Sequence, residues 1–555
     1  MEVLRWIGDG KRRGGRIKGT VALVLAWLLM MPLNAVYALP QGEEVVSGSA
    51  TFQKPNSKTL KIITSDKVIV NYDSFDIGRK ELVKFVQPGS SSVALNRVVG
   101  GDPSEILGTL LANGKIFLIN PNGILFGKSA RINTGSFLAS TLDISNEDFL
   151  RGRYSFHLKD GFGPSYIINQ GVIKAVPGGF IVLASPFVAN SGKIKVKAGR
   201  VVVAGTSGFT LDLAGDGLID FFIPSDTPVE GDVELSLKRL PKVLKRLVNM
   251  EGIEEAYGIE ERDGVIRLVG GAGTTFQDGL VDVSGEEGGQ VLLDSAQRTI
   301  VGPEGEILVD GTGVGTKGGE IRVLSHGDTF LAKGILKARG GKGGEGGFVE
   351  VSASGQVSIG GAKIDTSSPQ GQGGSFLLDP EEVNITNDLY YHGGNATIQA
   401  DKSITVNDGV MISTRMISGS DTHQAHLTGL SIGDSGNLTL DAPQITVGNG
   451  ATLLTFANNG YTGGDITLKA EDNTGDINHV AVAKVELNGA FLRGRNVTIT
   501  AAARSADEFS DGDSAIDQVL DFLSDLPVSP AGVSIAKADA EIKVGSGTRI
   551  EGGNV

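Results

Sequence analysis

Residues 116–127 read IFLINPNGILFG: two short runs of apolar, largely β-branched or aromatic residues, Ile116-Phe117-Leu118-Ile119 and Ile124-Leu125-Phe126-Gly127, flank Asn120-Pro121-Asn122-Gly123. Proline presets φ at about –65° for the second position of a turn, and Asn-Gly accepts the positive φ of a tight reversal. The stretch therefore predicts a strand, a corner and a second strand. Short alternating bursts precede it: SGSATF from Ser47, LKIITS from Leu60 and KVIVNY from Lys67. Alternation of apolar and polar residues is the mark of half-buried strands. Between these bursts and the corner, Pro103 to Leu111 (PSEILGTLL) reads as the only helical turn of this half, with Asp102 as its cap.

Outward from the corner, a repeat emerges. Asn169-Gln170-Gly171-Val172-Ile173 returns as Asn190-Ser191-Gly192-Lys193-Ile194, an offset of 21 residues. Each copy leads to a glycine corner and another strand, GGFIVLA from Gly178 and GRVVVAG from Gly199, and looser units such as GGQVLLD, GGEIRVL and GGFVEVS continue the grammar. A period in the twenties built from strands and glycine corners predicts a solenoid. One coil cannot bury its own inward side chains, whereas stacked coils align Val, Ile and Leu into continuous ladders. The expected fold is all-β, a right-handed parallel β-helix with short helical inserts, of roughly 20 to 24 coils. Two segments break the grammar and predict those inserts: 233–255, with a basic face, and 514–526, acidic and amphipathic.

Composition agrees. Glycine takes 81 of 555 positions, about twice the usual share of about 7%, without the three-residue period of collagen. The formal net charge of –14 argues against a nucleic acid partner. There is no cysteine, so an exported protein would carry no disulfide framework. Lys11, Arg12, Arg13, Arg16 and Lys18 lead into VALVLAWLLMM, with Pro32 and then Ala35-Val36-Tyr37-Ala38 behind it. That order predicts a secretory signal peptide over 1–38, cut between Ala38 and Leu39, and hence handling by the general secretion machinery. The last residues, AEIKVGSGTRIEGGNV, stop in mid-pattern, which leads to the expectation of a truncated solenoid.

Enzyme chemistry leaves no trace of its own. Asp282, Asp294, Asp310 and Asp379 are scattered among turns, with no repeated acid/base partner at coil spacing. The six histidines read as isolated; His423 and His426 lie three apart, but no third metal ligand stands near them in the chain. GGKGGEGGF from Gly340 has Glu345 where a calcium-binding nonapeptide has Asp and occurs once, so it reads as a glycine corner. No enzyme, metal site or cofactor is expected. The rival class is a secreted polysaccharide-degrading β-helix enzyme, which would cluster charged side chains along a groove.

The stretch INPNGILFGKSARINTGSFLASTLDISNEDF, with NYDSFDIG from Asn71 and LNRVVGG from Leu95 ahead of it, resembles the secretion domain of two-partner secretion exoproteins, the filamentous haemagglutinin and high-molecular-weight adhesin family. The likeness runs from about Leu39 to Pro224, and more loosely through GGSFLLDPEEVNIT from Gly373. Tyr72 stands where the family usually has Trp or Phe. The resemblance implies a secretion domain over 39–224, a β-helical passenger over 225–555, and a dedicated outer-membrane barrel transporter as partner. It places the secretion motif on Asn120, Pro121, Asn122 and Gly123, with Asn96 and Arg97 accompanying, and leaves open whether the motif serves folding, recognition or both; recognition is the expectation. It implies a protein secreted through the periplasm to the surface of a Gram-negative cell, where an adhesin would meet a host or neighbouring-cell ligand. Haemolysins, haem-scavenging exoproteins and contact-dependent toxins share such a leader.

Overall fold

The strand Lys115–Ile119 sets the plan. Its Ile116 and Leu118 face an interior core and its Phe117 and Ile119 face an outer one, and all four are buried. In the computed structural model, which describes residues 39–212, 220–223, 233–235, 259–262, 265–268, 271–418, 421–472, 482–503 and 540–552, this strand lies parallel between Val93–Val98 and Ser136–Ser140. It makes no pairs with Ile124–Phe126, the strand after the corner, which is instead flanked by Ser104–Ile106 and Tyr166–Asn169. Consecutive strands therefore belong to different ladders, and the chain climbs one coil at a time. Residues 39–555 form one compact unit, and its core starts at Leu39.

Each rung carries up to three strands. Among the described residues the ladder of first strands has fourteen members, from Val68–Tyr72 to Val497–Ala503. At about 4.8 Å between neighbours it spans about 60 Å. The parallel β-helix matches expectation, but the expected 20 to 24 coils were too many. No described strand between Ser140 and Tyr166, between Gly205 and Thr274 or between Ser413 and Leu438 adds a rung to this ladder, and later coils are longer: Val349 sits on Ile321, 28 residues earlier. Asp282, Asp294 and Asp379 lie on strands rather than in turns.

Three further expectations need correction. Pro103 to Leu111 is not helical; Ser104–Ile106 and Thr109–Ala112 are strands, because their backbone groups pair with the coils on either side. The stack does not begin in parallel register: Glu44–Ser47 pairs antiparallel with Val68–Tyr72, and Ala50–Asn56 with Thr59–Thr64, closing the first edge. Finally, Val233–Leu235, at the head of the first supposed helical insert, is a strand antiparallel to Val265–Leu268. The remainder of that insert, and all of 514–526, lie outside the described residues. The helices described are α1 (Asn146–Arg151) and α2 (His423–Thr428).

The repeated Asn-x-Gly units have a physical role. Asn169 donates from Nδ2 to Asn190 Oδ1 (2.8 Å), and Asn190 to Gln277 Oε1 (2.9 Å). Each Asn Oδ1 also accepts the N–H two residues on, at Gly171 and Gly192. A buried amide column thus satisfies every corner it passes. At another corner, a Cβ on Gly319 would stand 2.0 Å from the carbonyl oxygen of Gly289, and one on Gly347 equally close to that of Gly319. Only glycine lets these corners stack.

The early rungs also carry an outer layer. Ile69, Leu95, Phe117, Leu138, Phe180, Val182 and Val202 point away from the interior yet are buried beneath Leu142, Ile144, Phe149, Tyr154, Phe156, Phe209, Leu211 and Ile223. Strands Tyr154–His157, Gly208–Asp212 and Asp220–Phe222 form the antiparallel lid. Phe117 sits at its centre, with ring centroids of Phe149, Tyr154, Phe156 and Phe180 between 5.5 and 6.5 Å away. Phe117→Ala is expected to cost about 3–5 kcal/mol, read as a lowered denaturation midpoint. A loss below about 1 kcal/mol would mean that the lid does not depend on this ring.

Candidate functional site

Asn120 directly follows the strand Lys115–Ile119, with its backbone N–H on Ser140 O (3.0 Å) and its carbonyl accepting Gly123 N–H (3.1 Å), which closes the turn. The side chain is fully buried and spent. Its Nδ2 donates to Asp102 O and to Ser104 Oγ, both at 3.0 Å, and its Oδ1 accepts Asn122 N–H at 3.0 Å. Asn122, half-buried, donates from Nδ2 to Gly100 O (2.8 Å) and to Asn120 Oδ1 (3.1 Å). The Asn-Pro-Asn-Gly corner is therefore bolted to the Gly-Gly-Asp-Pro-Ser corner one coil before it. Pro121 is buried. Gly123 has φ +123°, and a Cβ there would enter the Tyr166 ring at 2.7 Å.

The accompanying pair splits between the two cores. Asn96 points inward, accepting the Tyr72 hydroxyl (3.2 Å) and donating to Phe117 O (3.2 Å) and Ala94 O (3.3 Å). A tyrosine is thus tolerated inside the coil because Asn96 satisfies its hydroxyl; burial pushes that phenol's pKa up. Arg97 points outward, only 7% exposed, and grips the lid. Nε meets Asp143 Oδ1 at 2.8 Å, Nη1 meets Asn146 Oδ1 at 2.7 Å and Nη2 meets Ile144 O at 2.6 Å. These contacts fix the approach to α1, which Ser145 caps by accepting Asp148 N–H. Thus the structure brings Asn120, Pro121, Asn122 and Gly123 into one corner, whereas Asn96 and Arg97 sit one coil away. Leu39 is buried; Ala38 lies outside the described residues.

A second constellation escaped sequence reading. His392, His423 and His426 are not isolated but converge with Asp388, Asp421 and Tyr390 beside a cleft of about 500 Å³. Asp421 Oδ1 lies 3.5 Å from His392 Nε2 and 3.6 Å from His426 Nε2, and Asp388 Oδ2 lies 3.6 Å from His423 Nδ1. Tyr390 donates to Asp388 Oδ2 (2.7 Å) and stacks on His426 at 4.2 Å. The fully buried Arg415 closes the C-terminal end of α2, donating to His426 O and to Gly429 O (2.9 Å), with its guanidinium 3.8 Å from the Phe456 centroid. Burial, then the nearby Arg493, brings its pKa down to about 10. The imidazole–carboxylate distances are those of ion pairs; among the described residues no group of three such side chains could hold a metal ion. The signal available was the count: three of the six histidines fall within 392–426.

Among known proteins, residues 37–283 match the family model of the TPS secretion domain. A heme/hemopexin-binding protein of Haemophilus influenzae (strain ATCC 51907 / DSM 11121 / KW20 / Rd) is 32% identical over 255 residues, 42% of this chain and 28% of that protein. A second Haemophilus influenzae protein of that name is 33% identical over 269 residues, 42% of this chain and 29% of that one. The chain thus spans less than a third of the length of the curated relatives it matches. The crystal structure of the HMW1 secretion domain from Haemophilus influenzae is similar over 92% of this chain and 99% of that chain, with 20% identity and a TM-score of 0.48.

The imidazole–carboxylate pairs have a pH signature. The imidazoles of His392, then His426, hold the Asp421 carboxyl well below the usual carboxylate range. The His392 pKa is raised: burial lowers it, but Asp421 outweighs burial. That of His426 is lowered, chiefly by burial. A raised His392 contributes stability fully present below about pH 6.5 and lost as pH rises through its folded value, while Asp421 keeps its charge until far lower pH. Asp421→Asn should therefore lower the unfolding temperature more at pH 5.5 than at pH 8.5. Equal losses at both would show that Asp421 holds α2 by geometry alone.

Proposed function

On the premise that residues 37–283 are a two-partner secretion (TPS) domain, we propose that the chain is an exoprotein whose passenger works by binding, as an adhesin. A TPS domain implies a cognate outer-membrane transporter, and TPS exoproteins cross the outer membrane of Gram-negative bacteria. The observation that carries the reading is the match itself, which spans the buried corner at Asn120 and the Arg97 grip.

For the corner, burial supports a folding role over recognition of the finished domain. Both amide hydrogens of Asn120 are committed inside the protein, so a transporter meeting the folded domain would find little of that side chain to read. The motif then acts by bolting two successive coils together as the exported chain folds. Removing the bonds of both asparagines is expected to cost about 2–4 kcal/mol. An Asn120→Ala, Asn122→Ala double variant should lose secretion together with thermal stability, measured as released against periplasmic protein beside unfolding of the purified chain. Blocked release with an unchanged unfolding temperature would overturn this and assign the corner to recognition.

For the passenger, the cluster of His392, His423, His426, Asp388, Asp421 and Tyr390 beside the cleft supports a second binding reading. The relatives' name states heme/hemopexin binding, and His423 and Tyr390 beside the cleft are residue types that ligate haem iron. The two binding readings separate in one experiment. As an adhesin, the protein should bind cells and release no sugar from acidic or neutral polysaccharides. Its haem titration should show no absorbance change that His423→Ala abolishes. Such a change would move the assignment to haem capture, and sugar release abolished by one Asp→Asn substitution would move it to an enzyme.

A further inference from the structure

The net charge of –14 conceals a segregated face. The third strands of the early rungs, with the edge hairpin, make a seven-strand run: Ala50–Asn56, Thr59–Thr64, Leu82–Val86, Thr109–Ala112, Arg131–Thr134, Val172–Ala175 and Lys193–Lys195. None of the seven contains Asp or Glu. Their outward positions carry Lys61, Lys84, Arg131, Lys174, Lys193 and Lys195. From Thr59–Thr64 to Lys193–Lys195 the register runs without a bulge, placing Lys61 beside Lys84 and Lys174 beside Lys195. Acids return in the next strand, Leu280–Asp282, whose Asp282 pairs with Lys195 at 3.0 Å. Among the described residues, Lys61, Lys84, Arg131, Lys174 and Lys193 have no ion-pair partner.

Like charges on neighbouring strands repel, and a sheet that needed only solubility would alternate signs, as the later rungs do with Glu306, Lys337 and Asp365. Between the cations lie aliphatic side chains that water also reaches: Leu82, Val86, Leu111 and Val172, with Val176 46% exposed at the border. Phe85, the aromatic residue of the central strands, is buried inside, so the face offers no stacking platform for bases. Six strand spacings make it roughly 30 Å across.

We propose that this face docks flat on an anionic lipid bilayer. Charge complementarity selects the occupant's sign. The regular ladder, with lysines in the majority and short aliphatics between them, selects a planar one: lysine stems lie along apolar surface while their ammonium groups reach headgroup phosphates. The docking is independent of the corner at Asn120, which lies on another part of the coil.

The test uses residues 39–555, the compact unit that holds the whole core, co-sedimented with phosphatidylcholine vesicles with and without phosphatidylglycerol. Binding is expected only with the anionic lipid and should vanish in 0.5 M salt, where screening shortens to roughly 4 Å. A Lys84→Glu, Lys174→Glu, Lys193→Glu variant should bind at least about 100-fold more weakly, and the same three positions changed to Gln should fall between. Lys317→Glu, Lys337→Glu, Lys342→Glu, with equal charge change on later coils, should bind like the parent. Equal loss in both Glu variants, binding to neutral vesicles, or retention by a polyglutamate matrix without vesicle binding would each overturn the proposal, the last in favour of an acidic protein partner. Unfolding temperatures of all variants show that each is folded.

Discussion

Between its ends, each described coil of this protein completes its backbone hydrogen bonds on the coils before and after it, and that dependence sets the rest. A strand such as Ile124–Phe126 has no partner within its own turn and is satisfied by Ser104–Ile106 on one side and Tyr166–Asn169 on the other. Unpaired backbone groups in an apolar interior are costly, so excursions have to leave and rejoin the stack without disturbing its spacing. Residues 141–165 do so: Ser136–Ser140 and Tyr166–Asn169 keep register with their neighbours although a helix and a strand intervene. Corners obey the same spacing, whether by amide columns (Asn169, Asn190, Gln277) or by glycines that leave no Cβ in the way.

Much of this was legible. The return of Asn-x-Gly after 21 residues is the column itself, seen in one dimension, and the double glycines mark where coils nearly touch. The alternation of EIRVLS against the continuous burial of FIVLAS separates bare rungs from covered ones. A continuous apolar run such as FIVLAS is the trace that the outer layer leaves in the sequence. Pro103 to Leu111 misled because capping and helical spacing are local properties, whereas the pairing that makes it two strands comes from coils 20 residues away. Tertiary context overrode propensity.

The side-chain clusters were hidden for a related reason. His392 reaches His426 only because α2 lies back against Met411–Ser413, with His426 Nδ1 2.9 Å from Ser413 Oγ. The cationic face is likewise diluted along the chain: its lysines come one or two to a coil, separated by acids that belong to other faces. The residues of the Asn120–Gly123 corner were easier to find because the four are contiguous, yet their burial could not be read from the sequence. Asn120 looks like a surface turn residue until the corner beneath it is known.

The lid over the early rungs has a temporal meaning. The interior core can be laid down coil by coil, since each rung's contacts reach back mostly a few tens of residues. The outer core cannot. Phe117 meets Phe149, Tyr154 and Phe156 early, but the outer layer it belongs to is not complete until Phe209, Leu211 and Ile223 arrive, roughly 90 to 105 residues after it. For a chain delivered from its N-terminus, assembly would proceed as a ratchet with a delayed catch: early rungs click into place reversibly, and only the arrival of about residue 223 locks them. Arg97, already bonded to Asp143 and Ile144, would keep the first half of the lid in position through that interval.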